Sequence, residues 1–109
     1  MAYELIIAEH AEKQIDELAG YLVEELHNLE AAKHFLDELE KVYKRLEENP
    51  LQFHLSRDTF LKRSGYREAL FATMRYRIVF RIDGTVVYIV GVFHTLERYA
   101  IKMREKLEE

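Results

Sequence analysis

Two alternating stretches, RYRIVFRI over residues 75–82 and TVVYIVGVFH over 85–94, flank an Asp83-Gly84 pair. Successive side chains of a strand point to opposite faces, so each stretch has one apolar face that must be buried. Asp-Gly between such runs is a strong hairpin signal, because a two-residue type I′ turn needs positive φ at both central positions. With Asp83 and Gly84 as the turn, Ile82 faces Thr85, Phe80 faces Val87, Ile78 faces Ile89 and Tyr76 faces Gly91. That apolar face needs a cover. The other face collects Arg75, Arg77, Val79 and Arg81 with Val86, Tyr88, Val90, Val92 and His94, and this register leaves it open to solvent.

The cover comes from the first half of the chain. YELIIA, residues 3–8, reads as a short strand, after which the period changes. Ile15, Leu18, Ala19, Leu22 and Leu26 recur at helical spacing and predict a helix from about Ala11 to His27. His27-Asn28 ends it and caps the next, whose stripe is Ala32, Leu36, Leu39, Tyr43 and Leu46. Pro50 disfavours a helical Asn49, so the second helix stops there and the two form an antiparallel hairpin. Residues 51–65 show neither period and read as an irregular crossing segment. YREALFA, 66–72, is a strand with a turn near Thr73-Met74 behind it, and LERYAIKMREKLEE is a helix or a frayed tail with Leu96, Tyr99, Met103 and Leu107 on one side. The β-α-α-β-β-β order predicts an α+β fold, with the helical hairpin packed on one face of a small, mostly antiparallel sheet. At 109 residues the whole chain, 1–109, is expected to form a single domain that buries roughly two-thirds of its unfolded surface.

Charge is divided unevenly. Residues 1–53 carry a net −8 and residues 54–104 a net +6, within a total of −4. Charges on helices are ordinarily a solvated face, but the basic half has its arginines in strands, which suits contact with a polyanion or an acidic protein segment. The absence of cysteine excludes disulfides, and no apolar run has signal-peptide or membrane-spanning length, so a soluble cytoplasmic protein with no membrane partner is expected. No His, Asp or Glu set has metal-ligand spacing, and Gly65 and Gly91 form no phosphate loop, so neither metal nor cofactor is expected.

AEKQIDELAGYL, NLEAAKHFLDELEKVYKRLEENP, GYREALF, YRIVFRID and VVYIVGVFHTLERY, in this order and spacing, resemble the RelE/ParE superfamily of bacterial type II toxin–antitoxin modules, also labelled plasmid stabilisation proteins. The resemblance covers nearly the whole chain. It implies a RelE/ParE-like fold and a growth-inhibiting toxin bound by a cognate antitoxin. RelE-like members enter the ribosome and cleave messenger RNA as mRNA interferases; ParE-like members poison DNA gyrase and are not known as nucleases. A degenerate, non-toxic antitoxin-binding member is a third reading.

Metal-free RNA cleavage needs a proton-transfer group near neutrality and a cationic clamp on the phosphorane, roles suited to histidine and arginine. His94 beside Arg75 and Arg77, with Tyr99 behind, is the candidate set, and the resemblance points to His94 and Tyr99 in particular. Arg67 joins it only if the loop from its strand to the next has an odd number of residues. Lys62, Arg63, Arg81 and Arg98 are candidate contacts to nucleic acid or antitoxin. The competing reading makes Arg77 the ion-pair partner of Glu68 and His94 a packed strand end near Thr73. His10, His27, His34 and His54 read as surface residues. On this basis a ribosome-dependent endoribonuclease is favoured over a gyrase inhibitor.

Overall fold

The computed structural model describes residues 2–108. Its elements are β1 (Glu4–Ile7), α1 (Glu9–Glu24), α2 (Leu29–Glu48), a 3-10 turn (Pro50–Gln52), α3 (Thr59–Arg63), β2 (Arg67–Leu70), β3 (Tyr76–Asp83), β4 (Val86–His94) and α4 (Tyr99–Glu108). The sheet order is β1-β4-β3-β2, with β1 parallel to β4 and the other pairs antiparallel. This is the expected α+β arrangement, and the C-terminal stretch, read as a helix or a frayed tail, is a helix. No helix among the described residues is long and apolar enough to cross a membrane.

The helical hairpin turns at His27, which takes a left-handed φ of 49°, and Asn28 then caps α2 by accepting the Ala31 N–H at 3.0 Å. Two details of the helices differ from expectation. α1 ends at Glu24, leaving Leu26 exposed, and α2 buries Phe35 and Val42 beside Ala32, Leu39 and Leu46 while Leu36 rides the exposed flank. The buried stripe shares Ala32, Leu39 and Leu46 with the expected one and takes Phe35 and Val42 in place of Leu36 and Tyr43. Phe35 meets the rings of Tyr76 and Phe71 at 4.8 and 5.6 Å between centroids, a range in which aromatic pairs attract beyond their buried area.

The crossing segment is more ordered than its sequence suggests. Asp58 caps α3 by accepting the Leu61 N–H at 3.0 Å, and Leu61 is fully buried. It lies not with the α1–α2 core but in a second cluster with Tyr66, Val79, Phe93 and Met103, bordered by Val90, Tyr99 and Ala100. α3 and α4 therefore cover the sheet face that the expected register leaves open.

The hairpin register explains why that face is apolar. Asp83 pairs with Val86, so Gly84 and Thr85 occupy the turn, one position later than expected. Ile82 pairs with Val87 and Phe80 with Ile89, but Val79 then pairs with Gly91, leaving Val90 as an extra residue in β4. Such a bulge reverses which face the following residues take. Val92 and His94 join Ile78 and Tyr76 on the helical-hairpin side, while Gly91 and Phe93 join Val79 and Arg77 on the other. The expected placement of His94 beside Arg75 and Arg77 is thus corrected.

Gly91 makes room for this second core, because a Cβ there would sit 2.5 Å from the Phe93 ring, itself almost fully buried. Gly91→Ala is expected to lower the unfolding free energy by about 1–3 kcal/mol, the usual cost of overpacking, measured by urea denaturation. An unchanged midpoint would show that the ring has space to retreat.

Candidate functional site

The polar centre of the second face is Glu68. Its position in β2 opposite Val79 points it away from the helical hairpin, and its side chain is 4% exposed. A carboxylate so removed from water is costly unless its oxygens are hydrogen-bonded and its charge is matched. Both conditions are met. Arg77 Nη1 donates to Oε1 at 2.7 Å from the diagonal position on β3, and Oε2 accepts from the Tyr99 hydroxyl of α4 and from the Arg57 backbone N–H at 3.3 Å. Ser56 Oγ lies 3.2 Å from the Tyr99 hydroxyl, and the Arg77 guanidinium stacks 4.2 Å from the Tyr99 ring centroid. One unit thus joins β2, β3, α4 and the segment before α3.

Burial alone pushes the Glu68 carboxyl up. Hydrogen bonds from Tyr99 and Ser56, the Arg77 charge and the Arg57 N–H together outweigh it and hold the group below its ordinary value of 4.5. The Tyr99 hydroxyl is pushed up, first by burial and then by its bond to Glu68. A neutral tyrosine donating to an ionised glutamate is the consistent state of the pair.

The five candidate catalytic residues do not converge. Arg77 and Tyr99 meet, but on Glu68. Arg75 is exposed and lies beside Thr95, whose N–H donates to its carbonyl at 2.8 Å. Arg67 pairs with Phe80 on the helical-hairpin side and donates to the Phe53 carbonyl at 2.6 Å. Four residues, 72–75, separate the hydrogen-bonded Phe71 and Tyr76, and that even number takes Arg67 off the Arg77 face. His94 is held at the end of β4 by its own neighbours. Its Nδ1 accepts the Leu96 N–H at 3.1 Å, its backbone N–H donates to Glu97 Oε2 at 2.7 Å, and its ring stands edge-on to Tyr76 at 5.2 Å.

Among the candidate contact residues, Lys62, Arg63 and Arg98 are exposed, and Arg81 stacks 4.4 Å from the ring centroid of Tyr88, its partner across the hairpin. Two histidines read as surface residues have structural bonds. His10 Nε2 meets the Val90 carbonyl, and His34 Nε2 lies 2.6 Å from Thr73 Oγ1. Thr73 in turn donates its backbone N–H to the buried Glu38 at 2.8 Å, tying the β2–β3 turn to α2. Sequence reasoning missed Glu38, Ser56 and Arg57; the only available signal was a glutamate within the apolar side of α2. No group of three His, Cys, Asp or Glu side chains suited to a metal comes together among the described residues.

The sign of the pH effect follows from the lowered carboxyl. The stabilisation by Glu68 is present above its unfolded value and lost as the pH falls below about 4.5 toward its folded value. Glu68→Gln is expected to cost about 1–3 kcal/mol at pH 7 and to flatten the acid limb of the stability curve. Equal losses at pH 7 and pH 3 would contradict this assignment.

The chain's likenesses agree with this architecture. A family model described as the ParE toxin of the type II toxin–antitoxin system parDE matches residues 5–99. No curated protein matches the sequence. Among solved structures, a chain of the chromosomal ParDE system from P. aeruginosa is similar at a TM-score of 0.68 and 18% identity, covering 85% of this chain and 96% of that one. A chain of the RelBE2 toxin–antitoxin complex from Mycobacterium tuberculosis gives 0.60 and 21%, covering 86% and 99%. YafQ from E. coli strain BL21(DE3) gives 0.56 and 13%, covering 91% and 97%. At these identities the structures speak to the fold, and the family model to the lineage: the chain belongs to the ParE toxin family of type II toxin–antitoxin systems.

Proposed function

We propose that this protein is a toxin that inhibits growth by binding a protein target, DNA gyrase on the family resemblance, without itself cleaving RNA. The observation that carries the reading is the engagement of Arg77 and Tyr99 by Glu68. A guanidinium matched to a buried carboxylate and stacked on a ring is not free to clamp a phosphorane. Releasing it would leave Glu68 charged and unpaired in a poorly solvated place, at a cost of several kcal/mol. His94 supports the same reading, since the bulge turns it to the opposite side of the sheet from Arg77. This departs from the nuclease favoured by the residue types alone.

Electrostatics point the same way. The helical hairpin lies in the half of the chain with a net −8, so one side of the molecule repels nucleic acid. The ParDE and RelBE2 structures are toxin–antitoxin systems by their descriptions, and the corresponding partner proposed here is a cognate antitoxin. The exposed arginines, Arg75 among them, suit its acidic groups as well as they suit phosphate.

Induced expression in a bacterial host separates the mechanisms. The expected result is growth arrest with DNA breaks, an SOS response and transcripts with unchanged ends, and His94→Ala is expected to alter the arrest by less than about twofold. Codon-phased cleavage of messenger RNA that disappears in Arg77→Ala or His94→Ala would overturn the proposal in favour of the ribosome-dependent nuclease.

A further inference from the structure

α3 and α4 cover the part of the second sheet face that carries Val79, Val90 and Phe93. Ile6, Val86 and Tyr88 share that face and belong to neither core. The register sets them in two rows across β1, β4 and β3. Glu4, Val86 and Asp83 form the row beside the hairpin turn, and Ile6, Tyr88 and Arg81 form the row behind it. Ile6 is 41% exposed, and Glu4 and Asp83 are exposed as well. The helical hairpin lies on the opposite side, with Leu5, Ile7, Val87 and Ile89 in its core. An apolar strip is left outside both cores at the turn end of the sheet.

The charges flanking the strip complement one another. Arg81 and Asp83 lie on the same face of β3, and neither makes an ion pair among the described residues. The Arg81 guanidinium lies over the Tyr88 ring, which leaves its fork of donors open to a carboxylate. A two-fold axis in the plane of contact, running across the strands between the two rows, exchanges the rows. Asp83 then meets the partner's Arg81 and Val86 meets the partner's Tyr88, each twice, while Glu4 at the sheet edge keeps its carboxylate in water. An axis along the strands would set Glu4 against Asp83, like charge on like. The relief of the face fits the same axis. Sheets pack face to face about 10 Å apart, close to the thickness of one helix layer, and α4 with α3 forms a step of that height behind the patch. In the two-fold pair the step of each copy passes beyond the hairpin turn of the other.

We propose that the turn end of this sheet face binds the same patch of a second copy, so that the chain forms a two-fold, back-to-back dimer held by Ile6, Val86 and Tyr88 and by two Arg81–Asp83 pairs. The acidic helical hairpins then point outward, away from one another, which limits the repulsion between two chains of net −4. Six residues a side are fewer than the roughly 20–30 of a standard interface, so the dimer is weak, with a dissociation constant on the order of 0.1 mM. The patch is separate from the Glu68 network, and its test reads association rather than toxicity.

The full chain, labelled with nitrogen-15, is followed from micromolar to millimolar concentration by amide shifts and by sedimentation. Saturable shifts are expected at Ile6, Val86 and Tyr88, with one constant that also describes a monomer–dimer equilibrium. Arg81→Asp and Asp83→Arg each set like charges against one another and are each expected to weaken the dimer by at least about tenfold. Mixed in equal amounts, the two variants are expected to associate within about threefold of the unaltered chain, because each then offers the charge the other lacks. Recovery on mixing separates a contact between chains from damage within one. A chain that stays monomeric at millimolar concentration, a dimer indifferent to both substitutions, variants that do not associate on mixing, or shifts confined to the helical hairpin or β2 would overturn the proposal. So would coverage of Ile6 and Tyr88 by an antitoxin when the chain alone does not self-associate.

Discussion

A charged carboxylate placed inside a sheet must be answered from every direction at once, and Glu68 sets that demand here. Its oxygens draw in a guanidinium from β3, a hydroxyl from α4 and a backbone N–H from the segment before α3. None of these segments is adjacent in sequence to another, so the network fixes their relative positions. Hydrophobic contact alone would hold α4 less specifically, because Met103 and Ala100 can slide over Phe93 and Val79 in ways that a bond from Tyr99 to Glu68 cannot.

The bulge at Val90 complements this polar centre. By turning Phe93 to the same side as Arg77, it supplies the apolar surface on which α4 rests and carries His94 to the other side. One extra residue in one strand thus converts an expected open, basic face into a second core. It also separates the histidine from the arginines with which residue chemistry would group it. The functional consequence is that His94 and Arg77 lie on opposite faces of the sheet and do not meet on a single reacting centre.

Much of this fold could be read from the chain before its structure. The period change from 2 to 3.6 and back gave every long element, and Asp83-Gly84 placed the hairpin turn to within one residue. The bulge could not be read, because Val86 to Phe93 is apolar at almost every position, and a stretch apolar on both faces carries no alternation for an inserted residue to break. Gly91 was the one local cue. α3 was hidden by its length, five residues being too few to show a period, although Asp58 as its cap was visible. At the site, the Glu68–Arg77 pair was readable as opposite charges on neighbouring strands. Its closure by Tyr99 and Ser56 depends on the folding of α4 over the sheet; the apolar side with Tyr99 and Met103 was visible, but not the sheet face it would cover.

The central claim is that Arg77 serves Glu68 and is not held ready for phosphate. A double-mutant cycle on urea unfolding, using Glu68→Gln, Arg77→Met and the pair together, measures this directly. The account predicts a coupling of at least about 1 kcal/mol, with the double variant less destabilised than the sum of the single ones. Additivity within about 0.5 kcal/mol would contradict it, since Arg77 would then be free of its buried partner and available to a ligand.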